Sequence, residues 1–282
     1  RACCIASRSS VATKCSNSPD DSEVAVSAWS LGYNLSLAGS MVTTMMRAGL
    51  GTAAVEAEAR PEWLFELYEF EGCPYCRIVR EALTELDLDA TIYPCPKGGE
   101  RFRPRVVERG GKAQFPYFVD PSTGASMYES GDIVAYLYET YGKRRPPFYW
   151  QWMELQQLGS GLAGAARLGA GVRARPSRAP ERPLELYSFE ASPFARPVRE
   201  LLCELELPYV LRSCGRRTAA DWLPPPARRS LYPDYRPEGV NRRALLARAG
   251  QVTIPYLVDP NTGVEMGESA DILDYLAATY GA

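Results

Sequence analysis

Histidine is absent from all 282 residues of the chain. Histidine is the usual general base at neutral pH and the commonest metal ligand in proteins. Its absence excludes Ser-His-Asp triads, Cys-His dyads and mixed Cys/His zinc sites. We therefore predict no metal site, and we look for chemistry that needs neither a metal nor an imidazole.

An excess of one charge is also missing, because 32 basic residues face 34 acidic ones and the two signs are interspersed. A broad basic surface is what nucleic acid or an anionic membrane would require. Neither is expected as a partner. The eight cysteines are few for this length, so the composition does not favour a disulfide-stabilised scaffold.

The first 60 residues are interpreted as a transit-peptide remnant followed by an N-terminal extension. The stretch before Asp20 has Arg, Lys, Ser and Ala but no acidic residue, which is typical of organelle targeting; a plain disordered tail is the alternative. The segment from Val24 to Met46 carries no charge. Polar and small residues interrupt it, so we predict an interfacial or core-docking helix rather than a membrane span.

An internal repeat dominates the rest of the chain. Residues Glu66 to Leu88 align with Glu185 to Leu207 at an offset of 119, and Phe115 to Gly142 align with Ile254 to Gly281 at an offset of 139. The chain is thus a tandem duplication. The change of offset places an insertion of about 20 residues in the second copy, within WLPPPARRSLYPDYRPEG, which is predicted to be an exposed loop.

Each copy has the pattern β-α-β-α-β-β-α, which predicts the α/β class with a small mixed sheet. We place the two domains at 61–143 and 183–282. The linker, 144–182, has an aromatic run that is too apolar for a free segment. It is predicted to form a helix packed on one or both copies, followed by a flexible stretch up to Pro183.

The first copy carries the motif Cys-Pro-Tyr-Cys between a strand and a helix. At the start of a helix, unpaired backbone N–H groups and the positive end of the dipole favour an anion. Cys73 should therefore be partly thiolate, which is the attacking species. Cys76 lies one helical turn further on and can attack a mixed disulfide formed on Cys73. Arg77 is a candidate for added positive potential.

Two later segments are predicted to complete the same site. Pro116 opens a strand, which suggests a cis peptide bond after Phe115 and leaves the Phe115 backbone free to pair with an extended peptide. Glu129 and Ser130 lie at a helix N-terminus, which is a ready site for a carboxylate.

CPYC after a strand, a strand that begins with Pro, and Glu-Ser opening the last helix resemble the thioredoxin superfamily, in particular glutaredoxins and the N-terminal domain of glutathione transferases. The tandem arrangement behind a Ser-rich leader resembles plastid proteins with two such domains. The resemblance implies glutathione as co-substrate, disulfide or glutathionylated proteins as partners, and a location in the plastid stroma. It implies Cys73 as nucleophile, Cys76 as resolving thiol, and as glutathione-binding residues Tyr75, Phe115, Pro116, Glu129 and Ser130.

Glutathione transferases also carry an all-α C-terminal domain, and the stretch of about 40 residues between the copies is too short to build one. The chain is therefore predicted to lack that domain and ordinary conjugating activity.

In the second copy Ser192 and Ala195 occupy the positions of the two cysteines, so thiol–disulfide exchange is excluded there. The second copy nevertheless keeps a candidate groove made of Ser192, Ile254, Pro255, Glu268 and Ser269. These residues could equally persist for folding, because Pro255 fixes a strand start and Ser269 caps a helix.

Three functions follow from these features. The first is a glutathione-dependent oxidoreductase acting through Cys73, with a redox-inactive second domain. The second is a non-catalytic glutathione- or protein-binding scaffold in the plastid. The third is ligation of an iron–sulfur cluster between two chains, which is weaker because four cysteines at cluster spacing are missing. Cys95 and Cys214 occupy equivalent positions and are either additional redox thiols or ordinary buried side chains.

Overall fold

The structure is a computed structural model that describes residues 21–282, with side chains described from residue 32. The predicted transit-peptide remnant falls largely on residues 1–20, outside the described part. Contacts divide the described residues into two units at Leu35: the part up to Leu35 holds the start of the first helix, and Ser36–Ala282 holds both copies. Within the described residues, no helix has the length and apolar character needed to cross a membrane.

The helices and strands follow the predicted order in both copies. The first copy is preceded by α1 (Asp21–Met46) and consists of β1 (Phe65–Glu69), α2 (Pro74–Glu85), β2 (Ala90–Pro94), α3 (Arg103–Gly110), β3 (Tyr117–Asp120), β4 (Ala125–Met127) and α4 (Ser130–Thr140). The linker holds a 3-10 turn (Phe148–Gln151) and α5 (Met153–Ala165). The second copy consists of β5 (Leu184–Ser188), α6 (Ala195–Glu204), β6 (Tyr209–Ser213), a 3-10 turn (Ala219–Trp222), α7 (Pro225–Leu231), α8 (Val240–Ala249), β7 (Tyr256–Asp259), β8 (Val264–Met266) and α9 (Ser269–Tyr280).

The two copies share one sheet of eight strands in the order β4-β3-β1-β2-β6-β5-β7-β8. Within each copy the first two strands are parallel and the others antiparallel. The copies join where β2 runs antiparallel to β6, with Ala90 opposite Leu211 and Ile92 opposite Tyr209. Each copy therefore covers the edge strand of the other, which would otherwise present unpaired backbone groups.

The hydrophobic core extends through both copies. Apolar residues that recur at helical spacing in α2 and at its C-cap are fully buried: Ile78, Val79, Ala82, Leu83 and Leu86. These side chains belong to the same cluster as Leu202, Leu211 and Ile272 of the second copy. Two smaller clusters lie under α3 and α8 on the other side of the sheet. The α/β class with two βαβ units is confirmed, and no all-α C-terminal domain is evident in the described residues.

The insertion in the second copy is largely exposed, as predicted, but it is not the irregular loop that its Pro and Arg content suggests. It folds into a 3-10 turn and α7, whose first residue, Pro225, suits the start of a helix. The buried carboxylate of Asp221 organises the segment. It accepts hydrogen bonds from the backbone N–H groups of Arg217 and Thr218, both at 2.9 Å, and from the hydroxyl of Tyr235.

The linker contains the predicted helix, and α5 packs against α2. The prediction of a flexible stretch after it was wrong, because backbone groups of this stretch pair with both copies. Lys97 N–H donates to the Val172 carbonyl at 2.6 Å, and Ala174 N–H donates to the Lys97 carbonyl at 3.0 Å. Arg175 N–H donates to the Glu204 carbonyl at 2.7 Å. The segment is thus held as an extended strap.

The duplication also extends upstream of each domain, which the sequence comparison missed. Residues 47–51, RAGLG, match residues 167–171, RLGAG, at an offset of 120. Arg47 binds Glu81 at 2.6 Å, and Arg167 binds Glu200 at 2.6 Å. The sequence feature that could have revealed this match is the repeated spacing R-x-G-x-G. The segment was missed because it is short and has too few apolar residues to show a helix or strand periodicity.

Candidate functional site

Cys73 occupies the N-cap position of α2. Its backbone N–H donates to the Phe70 carbonyl at 3.0 Å, which closes the turn after β1. Its Sγ accepts the backbone N–H of Cys76 at 3.4 Å. The thiol thus takes the place of the side-chain oxygen that normally caps a helix, and it receives one of the N–H groups that the first turn leaves unpaired.

The two thiols of the motif differ in pKa, which is lowered for Cys73 and raised for Cys76. A hydrogen bond from the Cys76 thiol lowers the pKa of Cys73 most, and the backbone N–H groups of Cys76 and Tyr75 and the charge of Arg80 lower it further, against the effect of burial. Burial raises the pKa of Cys76 well above that of an ordinary thiol, and the neighbouring Cys73 adds to this. One thiol is therefore suited to attack, and the other keeps its proton.

The loop that carries Cys73 is closely packed by the linker. Gly72 N–H donates to the Gly171 carbonyl at 3.3 Å, and Ser160 Oγ donates to the Pro74 carbonyl at 2.8 Å. Cys73 is only 3% exposed as a result, whereas Tyr75 is 45% exposed.

The strand that follows α3 lies next to this loop. The peptide bond between Phe115 and Pro116 is cis, as the sequence predicts. Tyr68 of β1 pairs with Tyr117 of β3, so Pro116 lies across from the last residue of β1. The ring of Phe115 contacts that of Phe70 with centroids 6.2 Å apart.

The remaining first-copy candidates lie at the start of α4. Glu129 Oε1 accepts the side-chain amide of Gln114 at 2.7 Å, which ties the helix start to the residue before Phe115. Ser130 is buried, and its Oγ has no hydrogen-bond partner. A buried hydroxyl without a partner is uncommon, and here it lies at a helix N-terminus, where an anion is favoured.

In the second copy all five candidate groove residues line one cavity of about 590 Å³. The backbone geometry of the first copy is retained: Ser192 Oγ accepts the Ala195 N–H at 3.2 Å, and the peptide bond between Ile254 and Pro255 is cis. The insertion supplies the opposite wall of the cavity, including Trp222 and Leu223.

Sequence reasoning missed a cluster of charges buried between the copies: Glu69, Glu71, Arg77, Arg80, Glu190, Arg196 and Arg199. Arg77, proposed as a neighbour of the nucleophile, instead donates to the Ser160 carbonyl at 3.2 Å and faces Glu190 at 3.7 Å. Arg80 is the cation whose charge lowers the pKa of Cys73. The repeated pattern R-x-x-R-E in RIVRE and RPVRE was the available signal.

The other described cysteines are buried and free: Cys95, Cys203 and Cys214. Burial raises the pKa of each, so these thiols are poorly reactive in the folded chain. In residues 32–282 no group of three Cys, Asp or Glu side chains is arranged to hold a metal ion.

Comparison with known proteins identifies one family. The model of the family described as "Glutathione S-transferase, N-terminal domain" matches residues 67–145 and 186–282, which together make up more than half of the chain. No curated protein matches the sequence. A solved glutathione transferase from Bombyx mori is similar at 28% identity over 30% of this chain and 39% of that one, with a TM-score of 0.27. The chain thus spans about two fifths of the length of that relative.

Proposed function

The chain belongs to the family of glutathione S-transferase N-terminal domains, and on this premise we propose that its first copy is a glutathione-dependent thiol–disulfide oxidoreductase acting through Cys73. The observation that carries the proposal is the position of Cys73 as the N-cap of α2, where its Sγ accepts the Cys76 N–H. Family membership supports glutathione as co-substrate.

The reaction would proceed by two exchanges. The Cys73 thiolate attacks a disulfide between glutathione and a second thiol, forms a mixed disulfide with glutathione, and expels the second thiol as a thiolate that takes up a proton. A further glutathione thiolate then attacks the glutathione sulfur of that mixed disulfide. Oxidised glutathione leaves, and the Cys73 thiolate is restored.

Cys76 provides an alternative second step. After losing its proton to solvent, its thiolate attacks Sγ of Cys73 and expels glutathione, leaving a Cys73–Cys76 disulfide that two glutathione molecules reduce. Because the pKa of Cys76 is raised, this route should be the slower one near neutral pH.

Glutathione binding is proposed for the residues next to Cys73. Tyr75 is exposed beside the thiol, and the backbone of Phe115 before Pro116 can pair with the peptide part of glutathione. The unpartnered Ser130 Oγ and the start of α4, next to Glu129, suit its γ-glutamyl carboxylate and amine.

The proposal is tested with purified protein in glutathione-coupled reduction of the mixed disulfide between glutathione and 2-mercaptoethanol. Turnover should be lost in Cys73→Ser and kept in Cys76→Ser. Cys95→Ser is the matched control, because it removes a buried thiol outside the motif and should leave turnover unchanged. Absence of turnover in the unmodified protein, or turnover that survives Cys73→Ser, would falsify the oxidoreductase proposal.

The exposure of Cys73, only 3%, favours a second candidate, a non-catalytic glutathione- or protein-binding scaffold. This candidate predicts that calorimetry detects glutathione binding, while the disulfide reduction assay shows no turnover.

We also propose domains at 61–143 and 183–282, and a plastid location on the basis of the leader composition. Import of the full chain into isolated plastids tests that location.

A further inference from the structure

The cavity of the second copy has a wall that the first copy lacks. The repeat contributes one side, from Ser192 to the start of α9, and the insertion contributes the other, from Trp222 to Arg229. The volume of this open cavity, about 590 Å³, lies within the range of small-molecule sites. A wall added to one copy alone indicates a role that is specific to that copy.

Four arginines line this cavity, Arg216, Arg228, Arg229 and Arg242, against two carboxylates, Asp221 and Glu268. Arg242 and Asp221 are paired at 3.2 Å. Asp221 also accepts two backbone N–H groups and the Tyr235 hydroxyl. The charge of Asp221 is therefore already balanced by these partners, and the cavity keeps an excess of positive charge.

Two of the four arginines, Arg228 and Arg229, belong to the insertion, and their contacts are with neutral groups. Arg228 donates to the Val252 carbonyl at 2.5 Å and lies over the ring of Tyr235 at 4.5 Å. Arg229 reaches the side-chain oxygen of Gln251 at 3.4 Å. Neither contact neutralises a charge, so both guanidinium groups add to the positive potential on the insertion side.

Arg216 is the most specific feature. Its guanidinium lies over two rings, 5.1 Å from that of Phe189 and 4.7 Å from that of Trp222, which hold it in place. Its Nε is buried and has no hydrogen-bond partner. Burial lowers the pKa of Arg216, and the nearby charges of Arg242 and Arg228 lower it further. A buried cationic donor without an acceptor costs free energy that an anionic ligand would recover.

The rest of the lining indicates the remainder of the ligand. Phe194, Leu223 and Pro224 present apolar surface to the cavity. Thr253 Oγ1 is buried without a hydrogen-bond partner. The site thus offers a charge-assisted donor, apolar walls and an unpartnered hydroxyl, a composition typical of sites for small molecules.

We propose that this cavity binds a small organic anion with an apolar body, whose acidic group is held by Arg216, and that binding does not require Cys73. The inference goes beyond the proposed thiol chemistry, since Ser192 and Ala195 leave this site without a thiol.

The test is calorimetric titration of the full chain with 1-naphthoate, beside its neutral analogue 1-naphthylmethanol and inorganic phosphate. Naphthoate should bind one site per chain, about tenfold or more tightly than the alcohol, because one charge-assisted hydrogen bond is lost with the carboxylate. Arg216→Gln should weaken naphthoate binding about tenfold. Lys97→Gln, the equivalent position of the first copy, is the matched control and should leave binding unchanged.

Thr253→Val is a second variant, which removes the unpartnered hydroxyl without changing charge and should weaken binding a few-fold. Circular dichroism verifies that each variant is folded. Cys73→Ser should bind naphthoate as the unmodified chain does. Equal binding of the alcohol, unchanged binding by folded Arg216→Gln, loss of binding in Cys73→Ser, or phosphate competing as well as naphthoate would each overturn the proposal.

Discussion

Arg80 of the first copy binds Glu190 of the second, with Nε 2.9 Å from Oε2. The duplication repeats this contact in reverse, because Arg199 binds Glu71 at 3.0 Å. Arg199 also lies 3.0 Å from Glu190, which joins the two pairs into one buried network. Glu71 follows β1 and binds an arginine of α6 in the second copy. Glu190 follows β5 and binds an arginine of α2 in the first copy.

Such a network contributes specificity more than net stability. Removing charged groups from water costs several kcal/mol per ion, and the attraction between them offsets this only when every partner is present. Glu190 is surrounded by Arg77, Arg80, Arg196 and Arg199. If the copies separated, or if either copy packed on another surface, these charged side chains would be exposed to water or buried without a partner.

We predict that Glu190→Gln lowers the free energy of unfolding by about 3–5 kcal/mol, because it leaves buried arginines without their shared counterion. Urea denaturation at pH 7 measures the change. Glu265→Gln is the control, since its pair with Arg248 at 2.5 Å is about one third exposed and should contribute about 1 kcal/mol or less. Similar small losses in both variants would contradict a central role for Glu190.

The same carboxylate predicts a pH dependence. Burial alone would raise the pKa of Glu190, but Arg199, Arg80, Arg196 and Arg77 hold it well below its usual range. A depressed carboxyl pKa adds stability that is present above the unfolded-state pKa of about 4.3 and is lost as the pH falls toward the folded-state pKa. The stability difference between the unmodified chain and Glu190→Gln should therefore shrink from pH 7 to pH 3. A constant difference in urea titrations at the two pH values would exclude this linkage.

Gly171 lets the strap pass close to the first copy. It has φ +70°, and an added Cβ would lie 2.8 Å from Cβ of Glu71. Gly250 has nearly the same φ, +71°, but nothing lies within 4 Å of the Cβ position. Gly250→Ala should cost about 1–2 kcal/mol of unfolding free energy for the left-handed backbone. Gly171→Ala should cost an additional 1–3 kcal/mol, roughly, for overpacking. Equal shifts in thermal denaturation would show that the strap has room at this point.

Cys73 should be alkylated at a lower pH than an ordinary thiol, because its thiolate is stabilised by hydrogen bonds and by Arg80. Iodoacetamide labelling of the folded protein, followed peptide by peptide with mass spectrometry, measures its rate against pH. The midpoint should lie below the usual thiol pKa of about 8.5. Cys95 and Cys214 are internal controls that should stay unlabelled over the same pH range, because burial raises the pKa of both thiols. A Cys73 midpoint at or above the ordinary value would remove the basis for its role as attacking thiol.

The sequence by itself determined the local structure and the chemical identity of the candidate site. The apolar spacing of α2 and the Pro that opens β3 are local signals, and the structure has the helix and the cis bond where they predict. The duplication gave the order of elements in both copies. CPYC in one copy and SPFA in the other placed the only candidate dithiol at Cys73 and Cys76, whereas Cys95 and Cys214 could be set aside only once the structure showed that they are buried.

Only the tertiary structure decided how the copies meet. The sequence pointed to Arg77 as a neighbour of Cys73 and did not single out Arg80, because helical periodicity does not reveal which polar face another copy will cover. Their burial depends on the pairing of β2 with β6, a long-range contact whose register is set by the whole interface. In the same way, the Pro- and Arg-rich insertion folds into a wall of the second cavity because Asp221 gathers distant backbone and side-chain donors around one buried carboxylate.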